Sequence, residues 1–104
     1  MVGLNSFDPK LLRCLDLNKL VVFIAVYRSR SASAAAAMLG VSQPAISNTL
    51  RDLRAFFADD LFLRRDKRLH ATPKAHKIAQ VLEPSLSILS DVFSQFAANT
   101  FQAL

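Results

Sequence analysis

Ala35-Ala-Ala-Met-Leu-Gly40-Val-Ser-Gln-Pro-Ala45-Ile-Ser-Asn-Thr-Leu50-Arg-Asp-Leu53 is the stretch from which the fold can be read. Its first part is rich in alanine, a strong helix former, and breaks at Gly40, where a left-handed C-terminal cap is least costly. Val41 is expected to turn back into the core. Ser42 then suits an N-cap, and Pro44 falls in the first turn, where no backbone N–H is needed. From there Ile46, Leu50, Leu53 and Phe57 recur at helical spacing and mark one buried stripe. Two helices joined by so short a turn, with small Ala35 and Ala36 letting them cross closely, make a helix-turn-helix.

The face opposite that stripe carries Gln43, Ser47, Asn48, Arg51 and Arg54. Gln and Asn side chains match the major-groove edge of adenine, Arg that of guanine, and small apolar groups the thymine methyl. Gln43, Pro44, Ala45, Ser47, Asn48 and Arg51 are therefore the expected base-contacting residues of a recognition helix over about 43–57. An ordinary solvated helix face is the plainer alternative. Charge favours the nucleic-acid reading: 13 Lys and Arg against 8 Asp and Glu give a net +5 and an isoelectric point near 10.0.

Upstream, Asp16 caps a helix expected over 17–30, whose Leu20, Phe23, Ile24 and Tyr27 share a stripe. Ser31-Ala-Ser33 follows as a loop, with Ser33 the expected cap of the alanine-rich helix; its hydroxyl is also a candidate for a phosphate bond. Residues 1–15 form an extension in which Asp8-Pro9 can open a helical turn.

Downstream, Ala58-Asp-Asp60 reads as a turn, Leu61–Arg65 and Leu69–Ala71 as short strands, and Asp66-Lys-Arg68 as the turn between them. This hairpin is a basic wing. Arg64, Arg65, Lys67 and Arg68, with Ser33, Ser42 and Arg54, are the candidates for phosphate or minor-groove contact. Arg51, Arg54, Arg64, Arg65, Lys67, Arg68, Lys74 and Lys77 cluster and no Lys or Arg follows, so the basic surface is expected in the middle of the chain.

Thr72-Pro73 repeats the capping pattern and opens a long helix reaching about Phe101, with Pro84 inside it and expected to bend it. Val81, Leu82, Leu86, Leu89, Val92, Phe93 and Phe96 form an apolar stripe too long for a small domain to cover alone. A simple core helix is the plainer reading; dimerisation through this stripe is the expected one.

The organisation expected is thus an extension over 1–15, a mainly α winged helix-turn-helix over 16–71 (three helices plus a two-stranded hairpin), and a linker helix over 72–104. Other classes find little support. Cys14 is alone, His70 and His76 are not spaced as a metal pair, and no metal or cofactor is expected in this chain. No nucleophile–base pair or phosphate-binding Gly loop points to an enzyme, so no catalytic residue is expected. Apolar runs such as Leu20–Tyr27 are too short to span a bilayer, and no secretory signal is visible, which favours the cytoplasm.

These motifs together resemble the N-terminal region of LysR-type transcriptional regulators. The resemblance runs through Asp16-Leu-Asn18…Leu20…Phe23…Val26, Ser31-Ala-Ser-Ala-Ala-Ala36, Val41-Ser-Gln-Pro-Ala-Ile-Ser47, Leu61-Phe-Leu-Arg64 and Ala71-Thr-Pro73. It spans about residues 16–96 in the family's order. Asn48, where many members carry Arg, with Pro84 and the extension, resembles the nodulation-regulator branch. Asp66 replaces a common Gly at the wing turn. The resemblance implies a bacterial, nucleoid-associated transcription factor that binds interrupted inverted repeats of duplex DNA near promoters. It implies antiparallel pairing of linker helices into a homodimer, and a homotetramer in a longer protein whose further domain binds a small-molecule effector. A module that pairs with related regulators and modulates them is the alternative.

Overall fold

The architecture grows around one central helix. In the computed structural model, which describes residues 7–98, helix α2 (Leu17–Ser29) contacts α3 (Ala32–Leu39) and α4 (Gln43–Phe57), and it also contacts α5 (Pro73–Phe96) and strand β2 (Arg68–Ala71). A short helix α1 (Pro9–Leu12) precedes it, and strand β1 (Phe62–Arg65) pairs with β2.

Because elements surround it, α2 buries Phe23, Ile24, Ala25 and Val26, four consecutive positions. A single stripe through Leu20, Phe23, Ile24 and Tyr27 therefore understates its burial: Leu20 and Tyr27 are only half-buried, while Val26 is fully enclosed. Phe23, Val26, Ile46, Leu53 and Leu61 form the centre, and Phe23 packs against Phe62 with ring centroids 5.4 Å apart. Each such side chain contributes about 1.5–3 kcal/mol by leaving water.

Local chemistry sets the helix starts. Asp8 accepts from the N–H groups of Lys10 and Leu11, Asp16 from Lys19, Ser42 from Ala45 and Thr72 from Ala75. The alanine-rich helix departs from expectation. Its cap is Ser31, not Ser33: Ser31 is extended (φ −155°, ψ 127°) and its Oγ accepts from the Ala34 N–H at 3.1 Å. Ser33 already lies inside the first turn, where its hydroxyl meets that of Ser31 at 3.0 Å.

Gly40 ends α3 at φ 67°, ψ 36°, a left-handed cap whose N–H, with that of Val41, returns to the carbonyls of the last turn. Val41 does not enter the core as expected and remains 45% exposed, because Ala35 and Ala36 already fill the α2–α3 crossing. Ala35, Ala36, Ile46, Leu50 and Leu53 are buried, which places the two helices of the motif as their patterns require.

The hairpin is antiparallel, with Phe62 opposite Ala71, Leu63 opposite His70, Arg64 opposite Leu69 and Arg65 opposite Arg68. Its turn is tighter than the expected Asp66-Lys67-Arg68: only Asp66 (φ 54°) and Lys67 (φ 63°) span it, and Arg68 belongs to β2. Two successive left-handed residues match the strand twist, which is why so short a loop closes. Leu61 lies outside the strand, at φ 63° and fully buried.

Helix α5 runs unbroken through Pro84 to Phe96, so the proline does not divide it. Ala97 caps it; the expected continuation to Phe101 lies beyond the described residues. No helix among the described residues is long and apolar enough to cross a membrane.

Candidate nucleic-acid interface

Helix α4 presents one polar face outward. Gln43, Pro44, Ala45, Ser47, Asn48 and Arg51 are all exposed, while Ile46, Leu50 and Leu53 turn inward. Among the described residues, the side chains of Gln43, Ser47 and Asn48 make no hydrogen bond. Arg51 reaches only a loose 3.9 Å approach to its neighbour Asp52. Donors and acceptors held on a rigid helix without internal partners are available to an external ligand.

An ion pair fixes that helix to the scaffold. Lys19 Nζ on α2 donates to Asp52 Oδ2 on α4 at 3.0 Å, and this hydrogen bond, with the lysine's charge, holds the Asp52 carboxyl below its ordinary 3.8. The negative charge on the recognition helix is thereby directed toward α2. Sequence reading missed this pair because its members lie 33 positions apart and either looks like an ordinary surface charge.

Arg54, expected at phosphate, has its Nε engaged within the protein. It is half-buried in the last turn of α4, and its Nε donates to the Asp60 carbonyl at 2.9 Å, closing the helix end. The Ser42 hydroxyl is engaged as a cap at 3.2 Å, and Ser33 is exposed beside Ser31. Arg64, Arg65, Lys67 and Arg68 stand exposed on the wing, and none has a side-chain partner among the described residues.

The wing is anchored at its root. Asp59, just after α4, accepts from the Leu61 N–H at 2.8 Å and from Thr72 Oγ1 at 2.6 Å. The Thr72 N–H in turn donates to the Leu61 carbonyl at 2.8 Å, and Lys74 reaches the Phe57 carbonyl. The end of the recognition helix, the wing and the start of α5 are therefore tied together by hydrogen bonds. The two bonds to Asp59 lower its carboxyl pKa from 3.8 against a small opposing effect of burial.

The far part of α5 presents an apolar face. Val81, Leu89, Val92, Phe93 and Phe96 are exposed, and so is Ile88, which the stripe drawn from sequence omitted. Leu82 and Leu86, expected in the intersubunit contact, are partly buried against this domain's own core. Glu83, between them in sequence, pairs with Arg28 of α2. Among the described residues no group of His, Cys, Asp and Glu is arranged to hold a metal ion.

Residues 17–76, more than half of the chain, match the family described as bacterial regulatory helix-turn-helix protein, lysR family. The chain belongs to the LysR family. This LysR-type domain is a winged helix-turn-helix DNA-binding domain, and the family is one of transcriptional regulators rather than enzymes. It is 44% identical over 93 residues to the transcriptional activator NagR of a Ralstonia species, covering 84% of this chain and 31% of that protein. It is 43% identical over 72 residues to nodulation protein D of Rhizobium leguminosarum bv. trifolii, covering 69% of this chain and 23% of that protein. The chain thus spans about a third or less of the curated relatives it matches.

Among solved structures, a probable transcriptional regulator of Pseudomonas aeruginosa superposes with a TM-score of 0.79 at 39% identity, over 84% of this chain and 29% of that one. The BenM DNA-binding domain in complex with catB site 1 DNA superposes at 0.72 and 27% identity, over 78% and 91%. The likeness to nodulation protein D agrees with the branch that Asn48 and Pro84 suggested.

Proposed function

We propose that this LysR-family chain reads a promoter inverted repeat in duplex DNA, with α4 in the major groove and the wing on the flanking backbone. The unpaired polar face of α4 carries this reading. Gln43, Asn48 and Arg51 are the base-reading residues, assisted by Pro44, Ala45 and Ser47. Arg64, Arg65, Lys67 and Arg68, with Ser33 and Ser42, face phosphates or the minor groove. Solved DNA complexes of related domains, those of BenM and CbnR, support the assignment.

The exposed apolar face of α5 (Val81, Ile88, Leu89, Val92, Phe93 and Phe96) supports pairing with a second copy. Larger assembly to a tetramer, control by a small-molecule effector and cytoplasmic, nucleoid-associated action extend the same reading to the longer relatives' architecture. No cofactor is assigned to this chain.

The test is fluorescence anisotropy of the chain on its own upstream promoter duplex against a scrambled duplex, over about 50–200 mM salt. A preference of about a thousandfold, with a steep negative salt slope, is expected. Equal weak binding to both duplexes by a folded dimer rejects sequence reading and favours a module that pairs with related regulators.

A further inference from the structure

A second cationic site lies away from the recognition helix. The end of α2, the wing and the first turns of α5 enclose a cleft of about 580 Å³ lined by Tyr27, Arg28, Arg30, Arg65, His70 and His76. Three of its walls are arginines, and the carboxylate that meets one of them, Glu83, is spent on Arg28. Tyr27 and His76 bond to each other at 2.9 Å. Arg30 and Arg65 are left without an acidic partner among the described residues.

Arg30 is held there against its backbone preference. It caps α2 in the left-handed region, at φ 58°, ψ 30°, where glycine is usual and another L-residue is disfavoured. Its carbonyl accepts from the Leu69 N–H at 2.9 Å, and its Nη2 donates to His70 Nδ1 at 2.7 Å. A guanidinium only donates, so Nδ1 is the acceptor and His70 Nε2–H donates to the Arg65 carbonyl at 3.1 Å. The imidazole braces Arg30 against the wing and leaves the Nη1 hydrogens of the guanidinium without a protein partner. Arg30 also directly precedes Ser31, the cap of α3, while Arg65 faces Arg68 across the hairpin. The cleft therefore joins the end of α2 to the basic wing.

A planar guanidinium with its Nη1 donors free, lining the same cleft as a second arginine, is suited to a tetrahedral oxyanion. We infer that this cleft is a phosphoryl seat, in which Arg30 and Arg65 grip one backbone phosphate of the duplex outside the bases read by α4. The inference rests on the DNA-binding reading above and adds Arg30, with His70 as its positioning residue, to the interface.

Two measurements test it on the intact chain, using Arg30→Gly, which keeps the left-handed backbone at little cost, and Arg65→Ala, which alters only an exposed side chain. Inorganic phosphate is titrated while the His70 ring resonances are followed by NMR, with sodium chloride at equal ionic strength as control. Salt-dependent anisotropy is measured on duplex DNA. Expected are a saturable phosphate shift lost in Arg30→Gly, and a salt slope reduced by about 0.9 in each variant, with specific and scrambled duplexes weakened alike. A reduced slope without a free-phosphate shift also supports the seat, since the bound duplex supplies its phosphate at high effective concentration. A phosphate shift with an unchanged slope overturns the duplex assignment in favour of a free anion. Neither response overturns the seat altogether. If the wild-type chain binds no duplex, the proposed function fails, and the phosphate titration alone decides the cleft.

Discussion

Thr72 Oγ1 donates a 2.6 Å hydrogen bond to Asp59 while the same oxygen accepts from the Ala75 N–H at 3.1 Å, so one hydroxyl both starts α5 and ties it to the end of the recognition helix. The bond from Thr72, then that from the Leu61 N–H, then the charge of Lys74 favour the ionised carboxylate and lower its pKa from 3.8. A folded-state pKa below the unfolded one adds stability that is present above pH about 4 and is lost as pH falls through the folded value. Asp59→Asn is expected to be less stable than the wild type at pH 7 and to lose less on acidification below about pH 4. Melting followed by circular dichroism from pH 7 to 2.5 checks this; parallel curves for the two proteins would refute the coupling. Asp52, lowered by Lys19, contributes with the same sign, so Asp52→Asn is the needed comparison.

Recognition is expected to reside in α4. Gln43→Ala and Arg51→Ala should each weaken the proper site by roughly 1–3 kcal/mol if each makes a bidentate base contact, and narrow the gap to scrambled DNA. Arg51 has a side chain 72% exposed, so its removal leaves folding nearly untouched. Competition anisotropy with single-base variants of the site is the measurement. Unchanged discrimination would remove either residue from base reading.

Much of this interface was legible in the sequence because its signals are local. Ser42 and Pro44 start α4, Ile46, Leu50 and Leu53 set its buried side, and Gln43, Asn48 and Arg51 follow on the other. Where two neighbours compete for one role, local signals fail: Ser31 and Ser33 are both good caps, and only the extended backbone at Ser31 decides between them. Long-range pairings left no local signal at all. Lys19–Asp52, Thr72–Asp59 and Arg30–His70 join positions from 13 to 40 apart, and the hydropathy pattern does not register them. Leu82 and Leu86 lie on the same helical stripe as Leu89 and Phe93, and periodicity alone cannot say where the domain's own core ends along α5.

Gly40 offers a test of the turn. Its φ of 67° is unfavourable for a side chain, yet an added Cβ would meet nothing within 4 Å. Gly40→Ala is therefore expected to fold with the same structure and to be destabilised by backbone strain alone, on the order of 1 kcal/mol. Urea unfolding with an unchanged m-value and a lowered midpoint is the expected record. A loss of several kcal/mol would mean that the turn packs more tightly than this geometry allows.

The divided stripe of α5 separates dimerisation from folding. Phe93 is 54% and Leu89 40% exposed, so a carboxylate at either position meets water in the single chain but is buried unpaired in a paired one. Leu89→Asp and Phe93→Asp are expected to sediment as monomers with an unchanged melting profile of the winged domain. Leu82→Asp, placed against the core, is expected to destabilise the fold itself. Because a dimer presents two recognition helices to an inverted repeat, the Leu89 and Phe93 variants should lose affinity for the full site while keeping that for an isolated half-site. Wild-type mass for both variants in sedimentation equilibrium would exclude this face as the contact between copies.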